Sequence, residues 1–131
     1  MEITSISAKL GAENFLTELS DGKHAIIGDE PEKNGGQDKG LDPYELVLAG
    51  LALCKAATMR MYAQRKGWDA GEISVHIDLE TQKDMPARFI SKISFTGNLS
   101  EEQKHRIVQI GNKCPTHRLL ENEKIFESFI L

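Results

Sequence analysis

Two cysteines, Cys54 and Cys114, are the side chains of this sequence best suited to chemistry. They stand sixty positions apart and form no CxxC pair, so no disulfide framework or paired redox motif follows from their spacing. Cys54 ends a nine-residue run, Leu46 to Cys54, without a polar side chain. It falls in mid-helix, too far from the helix start to gain much from the dipole. On spacing alone the plain reading of Cys54, a small buried hydrophobe, leads. Cys114 is better placed for reactivity, since it directly precedes Pro115 at an expected helix start, where a thiolate is stabilised. His117 and Arg118 lie one turn on. A capping or core thiol remains the plain alternative for Cys114.

The histidines are His24, His76, His105 and His117. His76 falls on the polar face of a strand and reads as a surface residue. Cys114, His117 and His105 match no common zinc spacing, so no metal and no cofactor is expected. The signatures GxSxG, HExxH and GxGxxG are absent, as is the phosphate-binding GxxxxGK[ST] pattern. Glycines 35, 36 and 40 therefore read as part of a flexible connector. Tyr62 and Trp68 read as packing residues at a helix end.

A formal net charge of -4 lacks the basic footprint that phosphate backbones require, which argues against nucleic acid as a partner. No basic segment precedes an apolar stretch at the N-terminus, so no secretory signal is read. The longest uncharged apolar run falls well short of the ~20 residues of a membrane span. The expectation is a cytoplasmic protein without a membrane partner, its thiols kept reduced. Its 131 residues fit one domain, 1–131, with one core.

The elements that must hold these side chains follow from pattern. Ile6, Ala8 and Leu10 alternate with polar residues, "ENFLTEL" forms a second strand, and "HAIIG" returns after the Asp21-Gly22 turn. Asp42, Pro43 and Glu45 carry the signals of a helix start, and Gly67 those of its end. The apolar half of that helix, Leu46 to Cys54, is expected to be covered on most sides. Its Lys- and Arg-bearing half is expected to emerge into water. "ISVHIDLE" alternates with a period of two and "FISKISF" pairs with it. Ser100 and Gln103 start a further helix, another begins at Pro115, and "KIFESFIL" closes the chain as a strand. The class is α+β, with antiparallel sheets around a long buried central helix.

Three stretches together resemble the OsmC/Ohr family, the osmotically induced and organic-hydroperoxide-resistance proteins. They are "GDEPEKNGGQDKGLDPYELVLAGLALCKAATMRMYAQRKGW", "ISVHIDLE" and "NKCPTHRLLEN". The similarity is co-linear over roughly residues 22 to 131 and is closer to the OsmC-like branch than to true Ohr. The resemblance implies an intertwined homodimer whose active site lies at the interface. It also implies that Cys54 is a peroxidatic thiol and Cys114 its resolving partner, re-reduced by a dithiol. The implied substrate is a small hydrophobic hydroperoxide, with Leu51, Leu53 and Met59 favouring its organic tail. The family's peroxidases use an N-terminal arginine and a glutamate directly after the helix proline. Here Tyr44 follows Pro43, Glu45 comes one place later, and no arginine precedes Arg60. Support for the thiolate would then fall to His24, Tyr44, Glu45 or Arg118, with Lys23 a further cation. The alternative is an OsmC-like protein that binds a small molecule or sulfur species and has weak or no peroxidase activity.

Overall fold

The computed structural model describes residues 1–131, which fall into two compact units, 1–49 and 50–131. The first unit is a three-stranded antiparallel sheet, β1 (Ser7–Leu10), β2 (Thr17–Ser20) and β3 (Ala25–Gly28), in that order. The β2–β3 turn is built on Asp21, whose carboxylate accepts from the backbone N–H groups of Lys23 and His24 at 2.8 and 2.6 Å. Its other oxygen meets His24 Nδ1 at 3.0 Å. These bonds, led by the His24 side chain, lower the Asp21 pKa to about 2. Gly22 supplies the positive φ of 95° that the turn needs.

The loop that follows was expected to be a flexible connector, and the structure corrects this. Asp29 is 4 % exposed, and its carboxylate accepts from the N–H groups of Glu30, Gln37 and Lys39 at 2.8, 3.3 and 3.2 Å. One buried side chain thus braces ten residues of loop, each bond satisfying an N–H that the loop would otherwise leave open. A Cβ on Gly36 would stand 1.8 Å from the Glu30 carbonyl oxygen, so only glycine fits there.

Helix α1 runs from Pro43 to Lys66. Its start is a reciprocal box, with Glu45 N–H donating to Asp42 Oδ1 at 2.8 Å and Asp42 N–H to Glu45 Oε1 at 2.9 Å. Gly67, at φ 71°, ends it, and Trp68 N–H reaches back to the Ala63 carbonyl. The Lys- and Arg-bearing half of the helix was expected to emerge into water, but within one chain it carries most of the buried residues. The buried residues of α1 are Leu51, Lys55, Met59, Tyr62 and Ala63, a single stripe at helical spacing. Val47 and Leu53 in the apolar half are 44 % and 72 % exposed. The stripe is selected by what packs on the helix, while Leu46, Leu48, Ala52 and Cys54 in the rest of the apolar half are only half-buried. By length and composition α1 is apolar enough to cross a membrane, with a mean hydropathy of 1.3, a test that core helices also pass.

In the second unit, β4 (Ile73–Glu80) and β5 (Arg88–Phe95) form an antiparallel pair in register from Ile73↔Phe95 to Glu80↔Arg88. His76 lies on its solvent face beside Asp78, as its position in the alternation predicts. Met59, Tyr62, Ala63, Ala70 and Ile107 form the core, flanked by Trp68, Val75, Ile93 and Phe95. Tyr62 and Trp68 pack edge to face at 5.7 Å. The cations of Arg65, Lys66 and Arg106 surround the Tyr62 ring at 5.5–5.8 Å.

Helix α2 (Glu101–Gly111) starts with the expected capping box: Ser100 Oγ accepts from Gln103 N–H, and Gln103 Oε1 accepts from Ser100 N–H. Ser100→Ala is expected to destabilise the fold by about 1 kcal/mol, read as a lower urea midpoint with an unchanged slope. Helix α3 covers Pro115–Glu121. The expected C-terminal strand does not form: residues from Glu123 onward are irregular and exposed, with Phe126 at 88 % and Ile130 at 102 %. The segment has a strand's composition, but a strand needs a neighbour's backbone, and no strand of this chain pairs with it.

Candidate functional site

Both cysteines belong to the second unit, Cys54 on α1 and Cys114 at the start of α3. Cys114 is fully buried and caps α3: its φ and ψ are extended, and its Sγ accepts from His117 N–H at 3.4 Å. Pro115 occupies the first helical position, where its missing N–H costs nothing. Behind the cap, Gly111 ends α2 against Met59, where an added Cβ would stand 2.9 Å from the Met59 Cγ. This close approach of α2 to α1 places Asn112 and Cys114 over the helix that carries Cys54.

The two thiols lie close enough for each to act on the other's ionisation. Their environments push their acidities in opposite directions. Burial acts to raise the Cys54 pKa, but it is outweighed by the polar groups around the sulfur, the Thr116 hydroxyl and N–H, the Cys114 thiol and the Thr58 hydroxyl, which favour the thiolate. The net displacement of Cys54 is downward. Burial raises the Cys114 pKa, the His117 N–H opposes it, and the adjacent Cys54 pushes it further up. The net displacement of Cys114 is upward, so the pair favours a Cys54 thiolate accepting from a Cys114 thiol. As the groups titrate together, the first ionisation belongs to the pair.

Lys55 is the side chain that the sequence reading missed. It is 2 % exposed, and its Nζ donates to Asn112 Oδ1 at 3.1 Å and meets His117 Nδ1 at 3.3 Å. His117 Nε2 in turn meets Glu121 Oε1 at 2.6 Å. Since a lysine ammonium only donates and a carboxylate only accepts, the geometry fits an imidazole protonated on Nε2. A signal was present: Lys55 occupies the stripe formed by Leu51, Met59 and Ala63, where a charge is out of place. Thr58 and Thr116 carried no comparable signal.

A cavity of about 500 Å³ opens beside Lys55, lined by Leu51, Phe89, Val108, Asn112, His117 and Leu120 among others. Neither cysteine lines it. Of the apolar residues expected beside the substrate, Leu51 lines this cavity, whereas Met59 is wholly in the core and Leu53 faces solvent. Arg118 is exposed on α3. His24, Tyr44 and Glu45 belong to the first unit: His24 is held by Asp21, Glu45 by the helix cap, and Tyr44 is 64 % exposed. His105 is exposed on α2.

Solved structures share this α+β architecture. An OsmC-like protein from Mycoplasma pneumoniae superposes with a TM-score of 0.78 at 20% identity, covering 92% of this chain and 88% of its own. An organic hydroperoxide resistance protein from Legionella pneumophila gives 0.67 at 20% identity, covering 92% and 90%. The organic hydroperoxide resistance protein OhrB of Bacillus subtilis gives 0.62 at 18% identity, covering 92% and 91%. No curated protein matches the chain. The family model for OsmC-like proteins matches residues 36–128, which takes in α1, β4, β5, α2 and both cysteines. The chain belongs to the OsmC-like family.

Proposed function

We propose that this chain is a thiol-dependent peroxidase that reduces organic hydroperoxides. The observation that carries the proposal is the neighbouring Cys54–Cys114 pair, both cysteines free, with the acidity of one thiol raised and that of the other lowered. The Cys54 thiolate attacks the distal oxygen of the hydroperoxide, the O–O bond breaks, and the alkoxide leaves and is protonated to the alcohol. Cys54 is then a sulfenic acid. The sulfur of Cys114 displaces its oxygen as water, closing a Cys54–Cys114 disulfide. A dithiol reductant supplies two electrons and two protons to restore the pair. No cofactor or metal enters this cycle. The names of the hydroperoxide resistance proteins among the similar structures agree with the reading.

In the same proposal the chain is one domain, 1–131, since the family match crosses from one compact unit into the other. It works as a homodimer in the cytoplasm. The exposed Val47, Leu53 and Met61 on α1, with the bare C-terminal Phe126 and Phe129, are the apolar surface that such an interface would cover. Contributions from His24, Tyr44, Glu45 or Arg118 would then come from a second copy.

Free-thiol count and intact mass after one equivalent of cumene hydroperoxide test the reaction. Loss of two thiols and ~2 Da, faster than with hydrogen peroxide, is the expected result. Two unreacted thiols would overturn it. One observation favours a second reading, an OsmC-like small-molecule or sulfur-species binding protein: the cavity lies beside Lys55 and His117 and reaches neither sulfur. Under that reading, ligand binding survives the replacement of both cysteines by serine.

A further inference from the structure

Lys55 is buried without a carboxylate on its ammonium; its two partners, Asn112 Oδ1 and His117 Nδ1, are neutral acceptors. A buried charge left without an opposite charge is costly, so either an anion serves it or it loses its proton. The anions within its field are those of the site itself. Cys54 is its chain neighbour, and Cys114 accepts the N–H of His117, the residue whose ring meets Lys55 Nζ. Beyond His117 stands Glu121, 64 % exposed, which links the buried group to solvent.

We propose that Lys55 is the cation that holds the Cys54–Cys114 pair in its singly ionised state, with His117 and Glu121 maintaining the charge of Lys55 from the surface. This deepens the peroxidase reading, on which its use in catalysis rests, but it concerns the ionisation of the thiols alone. Lys55 acts as a positioning charge. A thiol in apolar surroundings without a nearby cation stays protonated, and Lys55 reaches the pair through His117, whose ring meets its Nζ and whose N–H meets Cys114 Sγ. The titratable groups facing it are Cys54 on α1, and Cys114, His117 and Glu121 on or capping α3. β5 and α2 contribute Phe89, Ser91 and Val108 to the cavity beside it, and Asn112 at the end of α2 accepts its hydrogen bond; none of these titrates. Burial lowers the Lys55 pKa, while Cys114, Cys54 and Glu121 raise it again. The charge of Lys55 in turn favours ionisation of Cys114, the thiol that titrates together with Cys54.

The test is the pH dependence of Cys54 alkylation by iodoacetamide in the full chain, followed by peptide mass mapping. Removing a cation raises a thiol pKa and reduces the thiolate fraction at neutral pH. Lys55→Met is therefore expected to slow Cys54 alkylation at pH 7 by about tenfold and to move the midpoint up by about one pH unit. Lys55→Arg restores most of the rate. Glu121→Gln, a change at an exposed position that leaves the fold intact, moves the midpoint in the same direction by a smaller amount. It carries the test if Lys55→Met does not fold. Profiles that superimpose on that of the unmodified chain overturn the inference. Peroxide consumption measured on the same samples separates the two proposals. Lys55-dependent alkylation without peroxide-driven thiol loss overturns the peroxidase and supports the cation role. Thiol loss with Lys55-independent alkylation does the reverse.

Discussion

Cys54→Ser is expected to slow the consumption of cumene hydroperoxide by roughly a thousandfold or more, because a serine hydroxyl is a far weaker nucleophile than the thiolate it replaces. The Thr116 and Thr58 hydroxyls and the Thr116 N–H that favour the Cys54 thiolate cannot ionise an alcohol at neutral pH. Cys114→Ser should behave differently. Its Cys54 still attacks, so the first equivalent of hydroperoxide is consumed and the chain gains about 16 Da as a sulfenic acid instead of losing mass. The cycle then stalls, because no second sulfur is present. Stopped-flow consumption in the first equivalent, with intact mass at its end, distinguishes the variants. Equal rates in Cys54→Ser and the unmodified chain would remove Cys54 from the chemistry and move the search to the cavity beside Lys55.

The second large effect concerns stability and reaches the site through packing. Met59 is 0 % exposed and lies against Ile107 and Gly111 where α2 crosses α1. Met59→Ala removes three heavy atoms from a place where the helices meet on a glycine and have little freedom to close the gap. The expected loss is about 2–5 kcal/mol, a large share of the 5–15 kcal/mol typical of a domain. Urea unfolding should show a lower midpoint with an unchanged slope. The same gap loosens the end of α2, so Asn112 and Cys114 lose their fixed distance from α1. At temperatures where the variant remains folded, disulfide closure after oxidation should slow more than the initial attack by Cys54. A loss below about 0.5 kcal/mol would mean that the α1–α2 crossing does not hold the site.

Much of this protein was legible from local rules. The caps at Asp42 and Ser100, the glycine stop at Gly67, the β4–β5 pair and the helix start at Pro115 each follow from one or two neighbouring residues whose hydrogen bonds close on themselves. The family was legible too, because two cysteine motifs recur in the expected order. Tertiary structure decided the rest. An apolar run states that a surface must be covered, but not which neighbour covers it, so the buried stripe of α1 fell on Leu51, Lys55 and Met59 rather than on the whole run Leu46–Cys54. The C-terminal residues have a strand's composition, yet a strand is a pairing between backbones that no single segment can specify. Lys55 was read as one more cation on a helix emerging into water, because burial is a property of packing. Only the crossing of α2 over α1 at Gly111 brings Asn112, Cys114 and His117 around it, and only that crossing makes neighbours of two thiols sixty residues apart.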